Sequence, residues 1–388
     1  MLLIVMRTKY IFEDVIGDFM KIGILSMQRI ENFGSLLQAY ALKKTLETFG
    51  NEVSFIDIQY IEEDNKLLNG VQQDFSFERG GKSVKQFLLK FNKYFFNRLK
   101  NLTRLKKQNA LFESFRQEKL FNGATVNQYD MAVIGSDEVF NCMSSGDWGY
   151  TSQLFGNIPE ASKIVTYAAS CGSTNYDSVP QKVKVSITNA MQNISKFSVR
   201  DANTIEFVSH FTDKKVEKNF DPVLIYDFSD EIDKVELPKT PQKYCIIYSY
   251  GNRICDKKEI KAIIEFCKKR QLTLVTVGGP QFWVKKHILC SPFQCLKLFQ
   301  KADFVITDTF HGTIFSIKYA KRFAVIIRDS NRNKLKDLVL SLKCDKHVIE
   351  DGSELERAYN LIKNDEEIKD ILKSEHQHTL EYLRECQK

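Results

Sequence analysis

Residues with anion or proton chemistry stand where apolar runs of this chain break off. In the stretch 302–316 an apolar strand runs into Thr307-Asp308-Thr309, and a helix is expected from near Gly312. A helix start offers unpaired N–H groups and a partial positive charge, which suit a phosphate. His311 at that junction can donate to the phosphate or carry a proton, and Gly312 lets the backbone approach closely. The plainer reading is that Thr309 caps the helix and His311 only marks its start.

The stretch Phe197-Ser198-Val199-Arg200-Asp201 puts an arginine at a strand end, where its planar fork can clamp a carboxylate or phosphate. A local pair with Asp201 or Asp221 is the alternative. The stretch 133–140 turns through Gly135 and Ser136 and projects Asp137. That carboxyl suits general acid or base work or, more plainly, a helix cap. The first strand-to-helix loop, 29–38, lacks the GxGxxG dinucleotide fingerprint. Its Asn32, Gly34 and Ser35 offer backbone and side-chain groups to a polar ligand.

Holding such residues together takes parallel strands. Lys21–Met27 reads as a strand and Val53–Ile58 as the next. Between them 35–49 reads as an amphipathic helix, with Leu36, Leu37, Tyr40, Ala41 and Leu46 near helical spacing. This βαβ opening implies a parallel sheet. Further strands are expected at Met131–Ile134, Lys163–Ala169 and Lys196–Val199, with helices over 180–195 and 201–210. The pattern restarts after Asp221-Pro222. Strands are expected at Tyr244–Tyr250, Leu272–Val277, Asp303–Thr307 and Phe323–Ile327, and helices over 257–270, 292–301, 312–320 and 353–363. The fold class is therefore α/β, two Rossmann-like domains facing across a cleft in a GT-B-like arrangement. The first spans 20–215 with a basic helical insertion near 82–119, and the second spans 216–388 with a helical tail. Ligands in such sheets sit outside the carboxyl ends of the strands, which makes the cleft the default site.

The 388 residues are 43% hydrophobic and 27% charged, which excludes collagen, coiled coil and wholesale disorder. No run of about 18 apolar residues occurs, so no spanning segment is expected. Arg7 and Lys9 interrupt the apolar start, against a signal peptide. Met20 directly precedes the first strand, so the residues before it read either as an upstream extension or as a short ordered arm. Nine cysteines without a CxxC, several in apolar runs as Cys245 is, fit a reducing compartment. The histidines show no ligand spacing, and no metal site is expected. The net charge of +7 is local, because 82–119 carries eleven Lys or Arg against two acids, Glu113 and Glu118. That segment also bears an apolar stripe of Leu88, Phe91, Phe95, Leu99 and Leu102. A solvated face is the plain reading; an anionic partner such as phospholipid or a pyrophosphate-bearing acceptor is the sharper one. No recognition motif accompanies the charge, so no nucleic acid is expected.

In this order the motifs resemble the polysaccharide pyruvyl transferase family over about 20–330. They are Asn32-Phe-Gly-Ser-Leu-Leu-Gln-Ala-Tyr-Ala-Leu42, Gly135-Ser-Asp-Glu-Val-Phe140, Ala169-Ser-Cys-Gly172, Ser198-Val-Arg-Asp201, Asp221-Pro-Val223 and Thr307-Asp-Thr-Phe-His-Gly312. Glu138, Phe140, Cys171, Asp201 and Thr309 depart from the commoner Gln, Trp, Phe, Glu and Ser, and some relatives carry an arginine where Thr309 stands. The resemblance implies transfer of pyruvate from phosphoenolpyruvate to two hydroxyls of a sugar, giving a cyclic ketal, in capsular or surface polysaccharide synthesis, with no metal or redox cofactor. It implies that Arg200 grips the donor's carboxylate or phosphate. His311, with Thr309 and the helix from Gly312, then holds the phosphate. Asp137 is the leading acid/base, Ser136 beside it binds substrate, and Asn32 and Ser35 line the acceptor side. The implied acceptor is lipid-linked, and the implied location is cytoplasmic, at the inner face of the membrane through residues 82–119. Two other classes fit the same pattern: a sialyltransferase-like enzyme using a nucleotide sugar, and a non-catalytic surface-assembly protein. Against the first, no acidic ribose-binding residue is evident after Val277.

Overall fold

A computed structural model describes residues 19–68, 103–123, 126–143, 149–328 and 331–388. The segment upstream of Met20, the stripe from Leu88 to Leu102 and the basic residues 82–102 lie outside or almost wholly outside the described residues.

Two six-stranded sheets, every pairing parallel, form the frame. The first consists of β1 (Lys21–Leu25), β2 (Glu52–Ile56), β3 (Tyr129–Ile134), β4 (Ala161–Thr166), β5 (Ile194–Val199) and β6 (Val216–Lys218), in the order β2-β1-β3-β4-β5-β6. The second consists of β7 (Tyr244–Tyr248), β8 (Thr273–Thr276), β9 (Lys286–His287), β10 (Phe304–Thr307), β11 (Phe323–Ile326) and β12 (Val348–Ile349), in the order β12-β11-β10-β7-β8-β9. Both are doubly wound Rossmann-like orders, so the chain has the expected α/β class with two such units facing one another. Strand order reverses between β1 and β3 in one sheet and between β7 and β10 in the other. Those are the switch points outside which ligands bind.

The strands read from the sequence are present, their ends shifted by a few residues. The sequence pattern missed β6, β9 and β12, which have three, two and two residues. It also missed the helix Arg332–Ser341. The sequence boundary at 215/216 falls just before β6, which nevertheless pairs with β5 of the first sheet. The tail helix Asp365–Cys386, placed by sequence order with the second unit, returns to the first. There Tyr382 donates to the Thr166 carbonyl at 2.8 Å, and Thr379 meets the Tyr167 hydroxyl at 3.1 Å.

The first helix, Phe33–Glu47, is buried on every side except at Lys44 and Glu47. Its sequence pattern suggested one apolar stripe, but a helix enclosed on all faces buries the whole of its surface. Its coverings are its own sheet, the second unit and the segment 112–120, whose Phe112 meets Phe33 at 4.8 Å. Tyr40 packs edge-on to Phe293 at 5.1 Å, and one continuous core runs from Leu36 and Leu37 to Ile314 and Phe315. The helix over 103–115, continued by a π turn at Arg116–Leu120, bridges both units. Gln108 exchanges two hydrogen bonds with the Cys290 backbone, at 2.8 and 3.2 Å. Arg116 donates to the carbonyls of Gln28 and Arg29, at 3.1 and 3.0 Å. The outward basic face expected over 82–119 is thus interrupted at Arg116, which is buried, because its fork is consumed by main-chain carbonyls. Among the described residues no helix is long and apolar enough to cross a membrane.

Candidate active site

Two strand-to-helix loops, one from each unit, are built alike. Asn32 caps Phe33–Glu47 by accepting from the Ser35 N–H at 2.7 Å. Thr309 caps Phe310–Tyr319 by accepting from the Gly312 N–H at 3.0 Å. In each helix the first two N–H groups, of Phe33 and Gly34 and of Phe310 and His311, have no intrahelical acceptor. Both helix starts border one cavity of about 350 Å³, which Asp137, Arg200 and Ser249 also line. The cavity sits at both switch points at once. It therefore receives two positive helix ends from opposite sides.

Asp221 is the hub behind the cavity. Its Oδ2 accepts from Arg200 Nη1 at 2.9 Å, lies 3.3 Å from His311 Nε2, and takes the Ser136 hydroxyl at 3.3 Å. Burial opposes charge on this carboxyl, but His311, Arg200 and the Val223 N–H prevail and hold it down at about 2. Arg200 is buried too, its side chain 2% exposed. Asp137 lies 3.5 Å from Nη2 and Asp201 4.0 Å from Nε, and the guanidinium stacks 4.2 Å over the Phe310 ring. Burial works against its charge, yet Asp137, Asp221, Asp201 and Glu138 together raise its pKa. Glu138 is likewise held down at about 2: burial is outweighed by Lys334, Arg200 and Asn141. Its partner Lys334 comes from the opposite unit.

Among the described residues, Arg200 Nε and Ser249 Oγ are buried without a hydrogen-bond partner, His311 Nε2 has only the Asp221 carboxylate 3.3 Å away, and all three residues line the cavity. Buried polar groups in folded proteins are nearly always paired, so donors left over around one cavity point to a ligand.

The sequence candidates divide into lining and supporting residues. Asn32, Ser35, Asp137, Arg200, Thr309 and His311 line the cavity. Ser136 and Gly312, expected to bind substrate, stand behind the wall instead. Ser136 is fully buried, accepts from the Asp137 N–H at 2.7 Å and reaches toward Asp221. Gly312 has its N–H taken by Thr309, and a Cβ there would lie 2.2 Å from Thr307 Oγ1, so packing rather than ligand approach requires the glycine. The His311 helix begins at Phe310, earlier than expected, because Thr309 caps it; His311 thus sits inside the first turn. Asp137 caps no helix. It takes a left-handed backbone, φ 76°, which Asp tolerates, and accepts from the Ser35 hydroxyl at 2.7 Å across the sheet. For Arg200 the local pair is real: Asp221 takes Nη1 at 2.9 Å, and Asp201 stands 4.0 Å from Nε, which makes no hydrogen bond.

Sequence reasoning missed Asp221 as a site residue, although Asp221-Pro222-Val223 stood among the motifs. A carboxylate one residue before a proline reads as a helix cap, which it also is. Ser249, Lys334 and the bridging-helix residues Gln108 and Phe112 carried no motif signal at all.

A sequence model of the polysaccharide pyruvyl transferase family matches residues 32–330. The chain belongs to the polysaccharide pyruvyl transferase family. Members of that family are transferases of polysaccharide pyruvylation, and the motifs from Asn32 to Gly312 lie inside the matched span. No curated protein matches the chain. Among solved structures, a UDP-GlcNAc 2-epimerase from Methanocaldococcus jannaschii bound to UDP-GlcNAc and UDP is similar at 11% identity, over 91% of this chain and 99% of that one, with a TM-score of 0.46. The UDP-GlcNAc 2-epimerase from Neisseria meningitidis is similar at 11% identity, over 93% and 99%, with a TM-score of 0.43. CalG4, the calicheamicin glycosyltransferase, is similar at 11% identity, over 95% and 98%, with a TM-score of 0.42.

Proposed function

We propose that the chain moves pyruvate from phosphoenolpyruvate to two hydroxyls of a sugar residue, releasing phosphate and closing a cyclic ketal. The observation that carries this reading is the convergence of two helix starts, Arg200 Nε, His311 and the Ser249 hydroxyl on one cavity. Phosphoenolpyruvate is a compact molecule with a carboxylate at one end and a phosphate at the other. Fixed N–H dipoles and a buried guanidinium stabilise such charge without reorganising.

The reaction needs a proton at C3, which leaves oxocarbenium character at C2. One sugar hydroxyl then adds to C2 and loses its proton, phosphate departs with its bridging oxygen, and the second hydroxyl bonds to C2 in its place, its proton passing to the released phosphate. Asp221 and Glu138, held near 2, stay ionised and serve as fixed charge. His311, set on the Asp221 carboxylate, is the group placed to give a proton. Asp137, hydrogen-bonded to Ser35 at the acceptor side, takes the hydroxyl proton. One such positioned group contributes about 10²–10⁴ in rate. The acceptor in this reading is lipid-linked, and the basic segment 82–119, of which Lys106, Lys107 and Lys119 are exposed, is proposed to meet the membrane that carries it.

The test is calorimetric titration with phosphoenolpyruvate, then incubation with phosphoenolpyruvate and a panel of nitrophenyl and lipid-linked glycosides. Micromolar donor binding and a ketal adduct by mass, with one phosphate per adduct, are expected. Binding of a nucleotide sugar in place of phosphoenolpyruvate, or of neither, would overturn the reading.

A further inference from the structure

The loops that follow β7 and β8 are clasped to each other more tightly than their exposure requires. Gln281, 2% exposed, donates to the Tyr250 carbonyl at 2.7 Å and accepts from the Ile254 N–H at 3.3 Å. Asn252, in a left-handed conformation, donates its N–H to the Pro280 carbonyl at 3.0 Å and accepts from the Phe282 N–H at 2.9 Å. The Trp283 indole donates to the Ile254 carbonyl at 3.0 Å. The two backbones touch: a Cβ on Gly279 would fall 2.3 Å from Gly251 N and 2.4 Å from the Ser249 carbonyl.

What this rigid lip presents is aromatic and uncovered. Tyr250 is 59% exposed and lines the cavity, while Phe282, on the paired loop, is 67% exposed. Ser249, one residue before Tyr250, lines the same cavity, and its buried hydroxyl has no hydrogen-bond partner among the described residues. A hydroxyl-bearing residue and a ring on the cavity wall thus stand on a loop clasped to another that carries an exposed ring. The Arg253 guanidinium lies 5.3 Å from the Tyr250 ring centre and, with its Nε 3.6 Å from Asp308, anchors that side of the lip.

We propose that this lip is a second saccharide subsite, which holds the sugar residue next to the one that reacts. Pyranose rings offer flat C–H faces to aromatic rings and hydroxyls at their edges, the pairing that an amphipathic tyrosine beside a free hydroxyl serves. Preformed loops bind such a chain without the cost of ordering themselves. This rests on the reading of a sugar acceptor above and adds that the acceptor is at least a disaccharide, leaving the cavity over Tyr250 toward Phe282.

The test separates the subsite from the donor reaction. Binding of a di- or trisaccharide glycoside, without phosphoenolpyruvate, is followed by saturation-transfer NMR and by Trp283 fluorescence. Calorimetry with phosphoenolpyruvate alone is run beside it on the same preparations. Y250A with F282A is expected to weaken oligosaccharide binding roughly five- to tenfold and to leave donor binding as in the wild type. Y250F is expected to retain the oligosaccharide. In turnover, KM should rise more for the oligosaccharide than for a single-residue glycoside. Oligosaccharide binding that is equal in wild type and double variant, or absent from both, overturns the subsite whatever the donor does. Failure of phosphoenolpyruvate to bind the wild type overturns the earlier reading instead.

Discussion

Gly34 and the His311 imidazole touch across the cleft, so closely that a Cβ on Gly34 would fall 2.2 Å from both Cγ and Nδ1 of the ring. The glycine of one capped helix start therefore sets the position of the histidine in the other. G34A is expected to push the imidazole off the Asp221 carboxylate. A misplacement of this size costs about 10²-fold in rate, and overpacking adds about 1–3 kcal/mol of destabilisation. Turnover and thermal midpoint measured on the same preparation check this. Unchanged turnover would mean that the ring position is not used.

Arg200 binds its surroundings as firmly as any ligand. An arginine at an open strand end would tolerate alanine, but R200A leaves Asp137, Asp201 and Asp221 facing one another without their common cation. Breaking a buried pair in this way costs about 3–5 kcal/mol, so R200A is expected to fold poorly. R200K keeps the charge and loses both the fork and the stacking on Phe310. It is expected to unfold cooperatively at a lowered midpoint and to bind phosphoenolpyruvate at least tenfold more weakly by calorimetry. Wild-type affinity in R200K would remove the guanidinium from the donor site.

The legible part of this molecule was its repeating part. Apolar runs such as Tyr244–Tyr248 and Phe304–Thr307 are buried along their whole length, and continuous apolar text is what a sheet covered on both faces requires. The strand-end positions of Arg200, Asp137 and His311 followed from it. Their partners followed only in part: Asp201 and Asp221 were the local alternative for Arg200, but the sharing of Asp221 with His311 was not legible. Asp221 is 21 residues from Arg200 and 90 from His311, and nothing in local spacing reveals that one oxygen serves both. The return of Asp365–Cys386 to the first unit is equally a product of chain path: Tyr382 meets Thr166 across 216 residues. Gln108 and Arg116 read as parts of a solvated basic helix because their burial comes from the other unit and from main-chain carbonyls, neither of which leaves a periodic trace.

Acid should unfold the protein through two site carboxylates. Asp221 is held at about 2 against an ordinary 3.8, and Glu138 at about 2 against 4.5. A carboxyl lowered in the fold adds stability that is fully present above its unfolded value and is lost as pH falls through its folded value. The wild type should therefore lose stability steeply between about pH 4.5 and pH 2. In E138Q one of the two titrations is absent, and a shallower slope of denaturant midpoint against pH is expected over that window. Parallel slopes in the two proteins would show that the Glu138–Lys334 contact across the cleft is not formed in solution.

Lys318 should act in the opposite pH range. It lies on the His311 helix and donates to the carbonyls of Val223 and Tyr226, at 2.8 and 2.6 Å, which ties that helix to the turn begun by Asp221. Burial pushes its ammonium down to about 7, with Asp227 and Asp221 pulling the other way. A neutral amine still has two N–H groups, one for each carbonyl, so the lysine can stay paired after losing its proton. Between about pH 7 and its ordinary 10.5 the unfolded chain holds a proton that the folded chain has released. Stability from this group thus rises with pH across that window and falls away as pH drops through 7, by at most about 1.4 kcal/mol per pH unit. K318M removes the titration and leaves two carbonyls unpaired. The denaturant midpoint of the wild type should gain on that of K318M from pH 7 to 10, while kcat in K318M falls as Asp221 loosens from His311. A constant gap between the two midpoints would place the Lys318 amine in water, and an undiminished kcat would free the Asp221 turn from any role in holding the histidine.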